Sequence, residues 1–416
     1  MITTVTLNAS IDKAYHMTEK IENGTVMRVA KTDNSAGGKG LNVARVIKLC
    51  GVDSKATGLV GGFNGQYLES LLDADGINHE FGHIQGETRS CINILDPGYG
   101  STEYLEGGCN VTKEEEADFL NKFPEIIKDS DVVTISGSAP KGMGKDIYQK
   151  LIKVIKDQGK QVILDTSGEY LEKGLESQPT MVKPNEDEIE LLFHTKIQSK
   201  DEVITYAKRI YKEKGIPYVV ISLGGDGALL VCEKGIYQGK PPKIEVANTV
   251  GCGDSMVGAF AVALEKKMEP EAALKYAVSV ASANALSPHT GRFDPKDRDE
   301  IIENVEIIKD QFKTSVAFPA YNVTPASKWN FGLPENPEIT VVNTGKKGFP
   351  WTPDSTPVKL KVTAFEIPEW RLLGDTTPGL PEEKIQVSSE CEEIEMVPSG
   401  CTRIRMTTLP VVEYCK

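Results

Sequence analysis

The segment that decides the fold contains Asp131-Val-Val-Thr-Ile-Ser136, an amphipathic run over residues 144–157, and Gln161-Val-Ile-Leu-Asp165. The two short apolar runs predict buried strands, and the amphipathic run between them predicts a helix. Strand, helix and strand in this order form the βαβ unit of a parallel sheet. Similar runs predict strands at residues 218–222 and 227–232 and a helix over residues 254–266. The first part of the chain is therefore predicted to be an α/β domain.

The chain changes character near residue 310. Eleven of its 23 prolines lie in residues 1–309 and 12 in residues 310–416, and all three tryptophans (Trp329, Trp351 and Trp370) lie in the second stretch. Short β-branched runs between proline and glycine stops replace the helical pattern there. We predict two domains, an α/β domain over residues 1–309 and a small β-sandwich-like, all-β domain over residues 310–416.

Composition narrows the possible functions. A net charge of -13 disfavours a nucleic-acid partner, because such proteins present basic surfaces to phosphates. The N-terminus has no pattern of a secretory signal, and no apolar run reaches membrane-spanning length. Eight cysteines without any CxxC spacing suit reduced thiols. We expect a cytoplasmic protein with neither a nucleic-acid nor a membrane partner.

The most informative motif is Asn248-Thr-Val-Gly-Cys-Gly-Asp-Ser-Met-Val-Gly-Ala-Phe260, in which a glycine-rich turn leads directly into an apolar helix. A helix start presents free backbone N–H groups and the positive end of the helix dipole to an anion. Gly251 and Gly253 allow close approach to a transferring phosphoryl group, and Asp254 could accept the proton of an attacking hydroxyl. The alternative is an acid that only complements the helix dipole.

A second glycine-rich helix start is Ala36-Gly-Gly-Lys-Gly-Leu-Asn-Val-Ala-Arg45. Lys39 and Asn42 in this motif also suit an anion. The alternative is a plain helix cap with a solvated lysine.

Residues 1 to about 309 resemble the PfkB, or ribokinase-like, carbohydrate kinases. Residues 37–44 resemble the N-terminal signature of that family and residues 248–255 its C-terminal signature, with Cys252 where a small residue is usual. The resemblance implies a three-layer α/β/α fold with a mostly parallel central sheet and a small β-lid. It also implies an ATP-dependent kinase that uses Mg²⁺ and could form a homodimer through the lid.

Four segments resemble the branch that phosphorylates ketohexose phosphates: Thr6-Leu-Asn-Ala-Ser-Ile-Asp12, Gly86-Glu-Thr-Arg-Ser-Cys-Ile92, Ser136-Gly-Ser-Ala-Pro-Lys-Gly142 and Lys183-Pro-Asn-Glu-Asp-Glu188. The continuation Cys-Ile-Asn-Ile after Arg89 favours tagatose-6-phosphate kinase, with 1-phosphofructokinase as the alternative. A sugar-phosphate sensor that keeps the fold without catalysis is a rival of another class, which the intact Gly-Cys-Gly-Asp motif disfavours.

The resemblance also implies roles for individual residues. Asp12 is expected to bind sugar hydroxyls, and Lys39 and Arg89 the existing phosphate of the substrate. Asn185 and Glu188 are expected near Mg²⁺, through waters, or else to act as a helix N-cap and a first-turn acid. The complete set is, for catalysis, Asp254 with Gly251, Cys252 and Gly253; for substrate, Asp12, Gly38, Lys39, Asn42, Arg89 and Ser138; and for nucleotide, Lys183, Asn185, Glu188, Ser222, Gly224, Gly227 and Asn284.

Segments of the tail, such as Pro325-Ala-Ser-Lys-Trp-Asn-Phe-Gly-Leu333 and Val397-Pro-Ser-Gly-Cys-Thr-Arg-Ile-Arg405, resemble the closing β-domain of β-L-arabinofuranosidase-like glycosidases. In those enzymes the catalytic groups lie in a different domain, so the tail is expected to be non-catalytic. Its tryptophans could stack on sugars, which leaves a glycan-binding protein as a further alternative, or they could pack in the core.

Overall fold

The computed structural model describes residues 1–310 and, beyond them, the backbone of six strands between residues 338 and 415. The chain divides into two compact units, Met1–Asp310 and Gln311–Lys416. The first unit contains ten helices and fifteen strands. The helices are α1 (Lys39–Leu49), α2 (Gly62–Asp75), α3 (Lys113–Ile126), α4 (Ile147–Asp157), α5 (Gly168–Glu176), α6 (Glu186–Phe193), α7 (Lys200–Glu213), α8 (Cys252–Glu265), α9 (Pro270–Leu286) and α10 (Pro295–Asn304).

The strands of this unit form two sheets. They are β1 (Ile2–Thr6), β2 (Ser10–His16), β3 (Lys31–Gly37), β4 (Ser54–Gly61), β5 (Asn78–His79), β6 (Gly82–Ile84), β7 (Arg89–Asp96), β8 (Gly100–Leu105), β9 (Val132–Ser136), β10 (Gln161–Asp165), β11 (Met181–Val182), β12 (Tyr218–Ser222), β13 (Ala228–Cys232), β14 (Gly235–Lys240) and β15 (Glu306–Asp310).

The central sheet has eleven strands in the order β15-β14-β13-β12-β11-β10-β9-β1-β4-β5, with β6 also paired to β4. Its strands from β12 through β4 to β5 and β6 pair in parallel, which confirms the mostly parallel sheet. At the other edge, β12 to β15 pair antiparallel. Only five residues connect Ser222 to Ala228, which is too short for the crossover that a parallel neighbour requires.

Helices cover both faces of this sheet. Ile163 on β10 belongs to a core cluster that includes Val257 of α8 and Val278 of α9. The next residue, Leu164, lies instead against Gly174 of α5, on the face that α4 also covers. Successive side chains of a strand point to opposite faces, so the unit has three layers, helices, sheet and helices.

A separate four-stranded sheet has the order β3-β2-β7-β8. Strand β2 pairs antiparallel with β3 and parallel with β7, so that Asp12 lies between Ser35 and Cys91. Its edge strand, β8, is mostly exposed. This small sheet is the candidate for the predicted lid.

The described part of the second unit consists of β16 (Glu338–Val342), β17 (Val358–Lys361), β18 (Lys384–Val387), β19 (Cys391–Met396), β20 (Cys401–Met406) and β21 (Val412–Cys415). They form one antiparallel sheet in the order β17-β16-β18-β19-β20-β21. Trp329, Trp351 and Trp370, on which the sugar-stacking hypothesis depends, lie outside the described residues. Among the described residues, no helix combines the length and apolar character needed to cross a bilayer.

Candidate active site

The start of α8 has the backbone geometry that the glycine-rich motif predicts. Gly251 precedes the helix with φ 86°, in the left-handed region that favours glycine. A Cβ atom on Gly251 would lie 2.8 Å from the backbone nitrogen of Gly291, so the position also lacks room for a side chain. The helix begins at Cys252, two residues earlier than predicted, and this places Asp254 in its first turn beside the free N–H groups.

Asp254 is buried, with 6% of its surface exposed. Asn42 on α1 donates a hydrogen bond of 2.8 Å from Nδ2 to Asp254 Oδ2. Burial raises the pKa of Asp254 to about 6, the charge of Lys39 opposes that rise, and the negative charge of Asp165 adds to it. A carboxylate with a pKa this close to neutrality is well suited to act as a general base.

Asp165, at the end of β10, holds two lysines at the site. Its Oδ2 lies 3.3 Å from Lys39 Nζ and its Oδ1 lies 3.2 Å from Lys183 Nζ. Burial acts to raise the pKa of Asp165, yet the charges of Lys183 and Lys39 hold that pKa below its usual value. Lys183 Nζ is also 3.4 Å from the position that a Cβ on Gly253 would occupy, so this lysine lies against the start of α8.

The site predicted from the sequence does not include Asp165. Its position at the carboxyl end of a predicted parallel strand could have indicated it, because ligands of open α/β sheets bind outside these strand ends. The predicted site also omits Asn8 and Arg45, which bond to predicted site residues.

Asp12 lies against the glycine-rich turn before α1. Ser10 Oγ donates a hydrogen bond of 2.7 Å to Asp12 Oδ1, and burial raises the pKa of Asp12. A Cβ on Gly37 would collide with this carboxylate, and Gly38, the residue before α1, has φ 108°. Asp12 of the small sheet and the turn that carries Lys39 are therefore neighbours.

Arg89 and Ser138 meet at Asn8. Arg89 donates from Nε and Nη2 to the Asn8 carbonyl oxygen, at 3.2 and 3.1 Å, and from Nη1 to the Glu106 carbonyl oxygen at 2.9 Å. Asn8 Nδ2 donates to Ser138 Oγ at 3.2 Å. Asn8 and Arg89 line a small pocket together with Leu7, Ala9, Leu59, Ile84, Glu87, Thr88, Gly108, Cys109 and Pro140.

Lys39 is oriented toward the catalytic side of the site. Its ammonium binds Asp165, and its alkyl chain lies beside Gly137, the residue before Ser138. The pKa of Lys39 is raised chiefly by the negative charge of Asp165, and further by the charges of Asp254 and Glu188. The structure thus groups Lys39 with Asp254 and Arg89 with Ser138, and a single phosphate pocket that joins Lys39 and Arg89 stays a prediction.

Asn185 and Glu188 form a capping box at the start of α6. Glu188 N donates to Asn185 Oδ1 at 2.8 Å, and Asn185 N donates to Glu188 Oε2 at 3.0 Å. The N-cap alternative therefore describes their contacts, while Glu188 also faces the charges of Asp165, Lys39 and Lys183. One oxygen of Glu188 remains outside the box, which fits a magnesium ion held through waters. Within residues 1–310, no cluster of three or more His, Cys, Asp or Glu side chains is arranged to hold a metal directly.

The remaining predicted nucleotide residues lie on two elements. Ser222 ends β12 and forms a bridge with Asn185, and the turn that follows contains Gly224 with φ 56° and Gly227 with φ 86°. Asn284 on α9 is fully buried and donates from Nδ2 to the Val250 carbonyl oxygen at 3.1 Å. Asn284 thus holds the loop before α8, and its contact with a nucleotide stays a prediction.

Comparison with known proteins shows which family the chain resembles. The family model described as pfkB family carbohydrate kinase matches residues 5–297. Tagatose-6-phosphate kinase of Staphylococcus epidermidis is 38% identical over 313 residues, covering 74% of this chain and 100% of that protein. 1-Phosphofructokinase of Bacillus subtilis is 37% identical over 291 residues, covering 70% of this chain and 94% of that protein.

Among solved structures, the tetrameric inhibited form of phosphofructokinase-2 from Escherichia coli matches with a TM-score of 0.68 and 30% identity, covering 73% of this chain and 98% of that one. The chain belongs to the pfkB family of carbohydrate kinases. The family resemblance and the enzyme class inferred from the sequence are confirmed.

Proposed function

We propose that the protein transfers the γ-phosphoryl group of ATP to a ketohexose phosphate, and that this substrate is tagatose 6-phosphate, which becomes tagatose 1,6-bisphosphate. The observation that carries the proposal is Asp254, a buried carboxylate with a pKa of about 6 in the first turn of a glycine-lined helix. The similarity to a tagatose-6-phosphate kinase over that protein's full length supports this substrate.

In the proposed reaction, Asp254 accepts the proton of a primary hydroxyl as the hydroxyl oxygen bonds to the γ-phosphorus. The bond between that phosphorus and the bridging oxygen of ADP breaks. Backbone N–H groups at Gly251 and Gly253 stabilise the negative charge on the transferred group, and the N–H of Cys252, which donates to the Thr249 carbonyl oxygen at 3.3 Å, lies between them. Lys39 and Lys183, both held by Asp165, add positive charge beside it.

The substrate would lie between the small sheet and the starts of α1 and α8. Asp12 accepts hydrogen bonds from sugar hydroxyls, Gly37 leaves room for that carboxylate, and Gly38, with φ 108°, lets the chain turn into α1. Arg89, whose guanidinium has two N–H groups outside its three hydrogen bonds to carbonyl oxygens, binds the existing phosphate with Ser138 and Lys39. Asn42 orients Asp254.

The nucleotide would bind along the ends of β11 and β12. Ser222, Gly224, Gly227 and Asn284 form its proposed surroundings, with Lys183 near the phosphates. Glu188, supported by Asn185, would hold magnesium through waters. The ion supplies charge neutralisation for the phosphates of ATP.

Fructose 1-phosphate is the second candidate substrate. A 1-phosphofructokinase matches this chain at 37% identity, nearly as high as the tagatose-6-phosphate kinase. Arg89 would serve the phosphate of either sugar, so the two candidates differ in which end of the ketohexose receives the new phosphate.

Three further predictions accompany the kinase. A cytoplasmic location stays a proposal. A homodimer through the small sheet is supported by its exposed edge strand and by the oligomeric nature of the matching phosphofructokinase-2, which forms a tetramer in its inhibited form. The non-catalytic domain over residues 310–416, with its resemblance to glycosidase β-domains, stays a prediction of the sequence.

A substrate panel tests the proposal. The full chain is assayed for ADP release with magnesium and ATP against tagatose 6-phosphate, fructose 1-phosphate, fructose 6-phosphate, tagatose and fructose. The highest kcat/KM is expected for tagatose 6-phosphate. A higher value for fructose 1-phosphate would select the second candidate, and equal turnover of phosphorylated and unphosphorylated sugars would contradict both.

A further inference from the structure

The amide of Asn42 has an ambiguity that the structure resolves. Either end of a carboxamide fits beside Asp254, but only the Nδ2 end can donate to a carboxylate. Nδ2 does donate to Asp254 Oδ2, at 2.8 Å, and the opposite end, Oδ1, accepts a hydrogen bond of 3.1 Å from Arg45 Nη1. A guanidinium has donors and no acceptor, so Arg45 can be satisfied only by the oxygen end of Asn42.

Arg45 is itself fixed in place. Its side chain is 4% exposed and lies one turn beyond Asn42 on α1. Its Nε donates to Asp75 Oδ2 at 3.0 Å, and its Nη2 donates to the Ala36 carbonyl oxygen at 2.9 Å. Asp75, the last residue of α2, also accepts a hydrogen bond of 2.8 Å from Arg292. With partners on three of its nitrogens, the guanidinium has one orientation.

We propose that Arg45 is a positioning residue for phosphoryl transfer, which directs the N–H of Asn42 toward Asp254 and so keeps that carboxylate ionised and oriented toward the substrate hydroxyl. The inference depends on the proposed function, because it assigns Arg45 a task only if Asp254 is the base. A hydrogen bond to a carboxylate favours its charged form. When Arg45 is lost, Asn42 can turn its oxygen toward Asp254, and this orientation favours the protonated acid.

Other charged groups also face Asp254. Lys39 lies on α1, Asp165 at the end of β10 and Lys183 after β11. The test leaves all three in place. The substitution also removes the charge of Arg45, and the Asn42→Ala background described below separates the direct effect of that charge from an effect transmitted through Asn42.

The test is the pH dependence of kcat/KM for the sugar phosphate in the full-length Arg45→Met variant. The acid limb, where activity rises as the base loses its proton, is expected to move to higher pH by about one unit, because a hydrogen bond to a charged group is lost. The KM for ATP is expected to stay near the wild-type value. Arg298→Met, which removes an arginine from a partly exposed ion pair with Asp299 in this unit, is the control and keeps the wild-type limb.

A double-mutant cycle separates positioning from general support of the fold. In the Asn42→Ala background, Arg45→Met is expected to produce no further shift of the acid limb. Should Arg45→Met not fold, Arg45→Lys takes its place, since one ammonium cannot reach Asn42, Asp75 and Ala36 together. Two outcomes would overturn the positioning role of Arg45. One is an acid limb that stays at the wild-type pH in a folded Arg45 variant, and the other is a shift of the limb that persists in the Asn42→Ala background.

These outcomes differ from failure of the proposed function itself. That failure would appear as a wild-type chain without sugar-phosphate kinase activity, or as an Asp254→Asn variant that remains active. If the wild type is active and substitution of Arg45 leaves its acid limb unchanged, only the positioning role of Arg45 is overturned.

Discussion

The carboxylate of Asp165 lies 3.2 Å from the ammonium of Lys183, and both side chains are almost fully buried. The same carboxylate binds Lys39 at 3.3 Å, so one acid holds two lysines beside Asp254. Two cations and one anion give this cluster a net positive charge, which offsets the carboxylate of Asp254 beside it.

Asp165→Asn tests this arrangement. The variant leaves two lysines without their shared anion, and loss of one partner of a buried ion pair costs about 3–5 kcal/mol of the free energy of unfolding. Because the charge of Asp165 raises the pKa of Asp254, its removal is expected to move the acid limb of kcat/KM to lower pH. Chemical denaturation and a pH–rate profile measure the two effects. An acid limb at higher pH would contradict the assigned electrostatics.

Asp254→Asn is expected to stabilise the fold in a pH-dependent way. The pKa of Asp254 is about 6 in the folded chain against 3.8 for an ordinary aspartate, so the folded state binds the proton more tightly. The free energy of unfolding of the wild type therefore falls as the pH rises from 3.8 to about 6, and stays lowered above that range. The variant has no titrating group at this position, so its free energy of unfolding does not fall in this way. The difference is on the order of 1–3 kcal/mol.

Thermal unfolding of both chains at pH 4 and pH 7.5 measures the difference. The Tm advantage of Asp254→Asn is expected at pH 7.5 and should nearly vanish at pH 4. An advantage that grows toward acid pH would contradict a raised pKa.

Much of this site could be predicted from sequence because its parts are local. The geometry of Gly251 and Asp254 depends on only four consecutive residues. They contain a glycine with a left-handed φ and, after it, an acid in the first helical turn. The capping alternative for Asn185 and Glu188 can be predicted for the same reason, since a capping box spans four residues.

Contacts between distant segments were not predictable in this way. Asp165 meets Lys39 across 126 residues, and Asn42 meets Asp254 across 212. The strand order β10-β9-β1 brings Asp165 near the start of α1, and the packing of α8 against α1 brings Asp254 to Asn42. No local pattern specifies either arrangement. The antiparallel direction of β13, by contrast, follows from the short connection between the strands predicted at residues 218–222 and 227–232.

Arg89→Lys tests the phosphate pocket. A lysine lacks the planar fork of arginine and cannot hold Asn8, Glu106 and a phosphate together. The KM for the sugar phosphate is expected to rise by roughly tenfold, the effect of about 1.4 kcal/mol of lost binding, while the KM for ATP changes little. Steady-state kinetics with each substrate varied in turn measures this. Arg209→Lys, in an exposed ion pair with Glu213, is the control, and equal increases of both KM values would count against the pocket.

Gly251→Ala tests the anion site against a matched substitution. Gly251 and Gly159 both have left-handed φ angles, but a Cβ on Gly159 meets nothing within 4 Å, whereas one on Gly251 meets Gly291 and Thr290. Each alanine is expected to destabilise the fold by about 1–3 kcal/mol from backbone strain. Only Gly251→Ala should also lower kcat strongly. Comparable kcat values for the two variants would show that the start of α8 is not the transfer site.

The central claim is that Asp254 removes the proton of the sugar hydroxyl during phosphoryl transfer. Its most direct test is bisphosphate formation from tagatose 6-phosphate and Mg-ATP, followed by ³¹P NMR, for the wild type and Asp254→Asn side by side at pH 7.5. We expect the variant to bind ATP but to lose roughly 10²–10⁴-fold in kcat, the usual contribution of a general base. Bisphosphate formation by Asp254→Asn at the wild-type rate would contradict the claim.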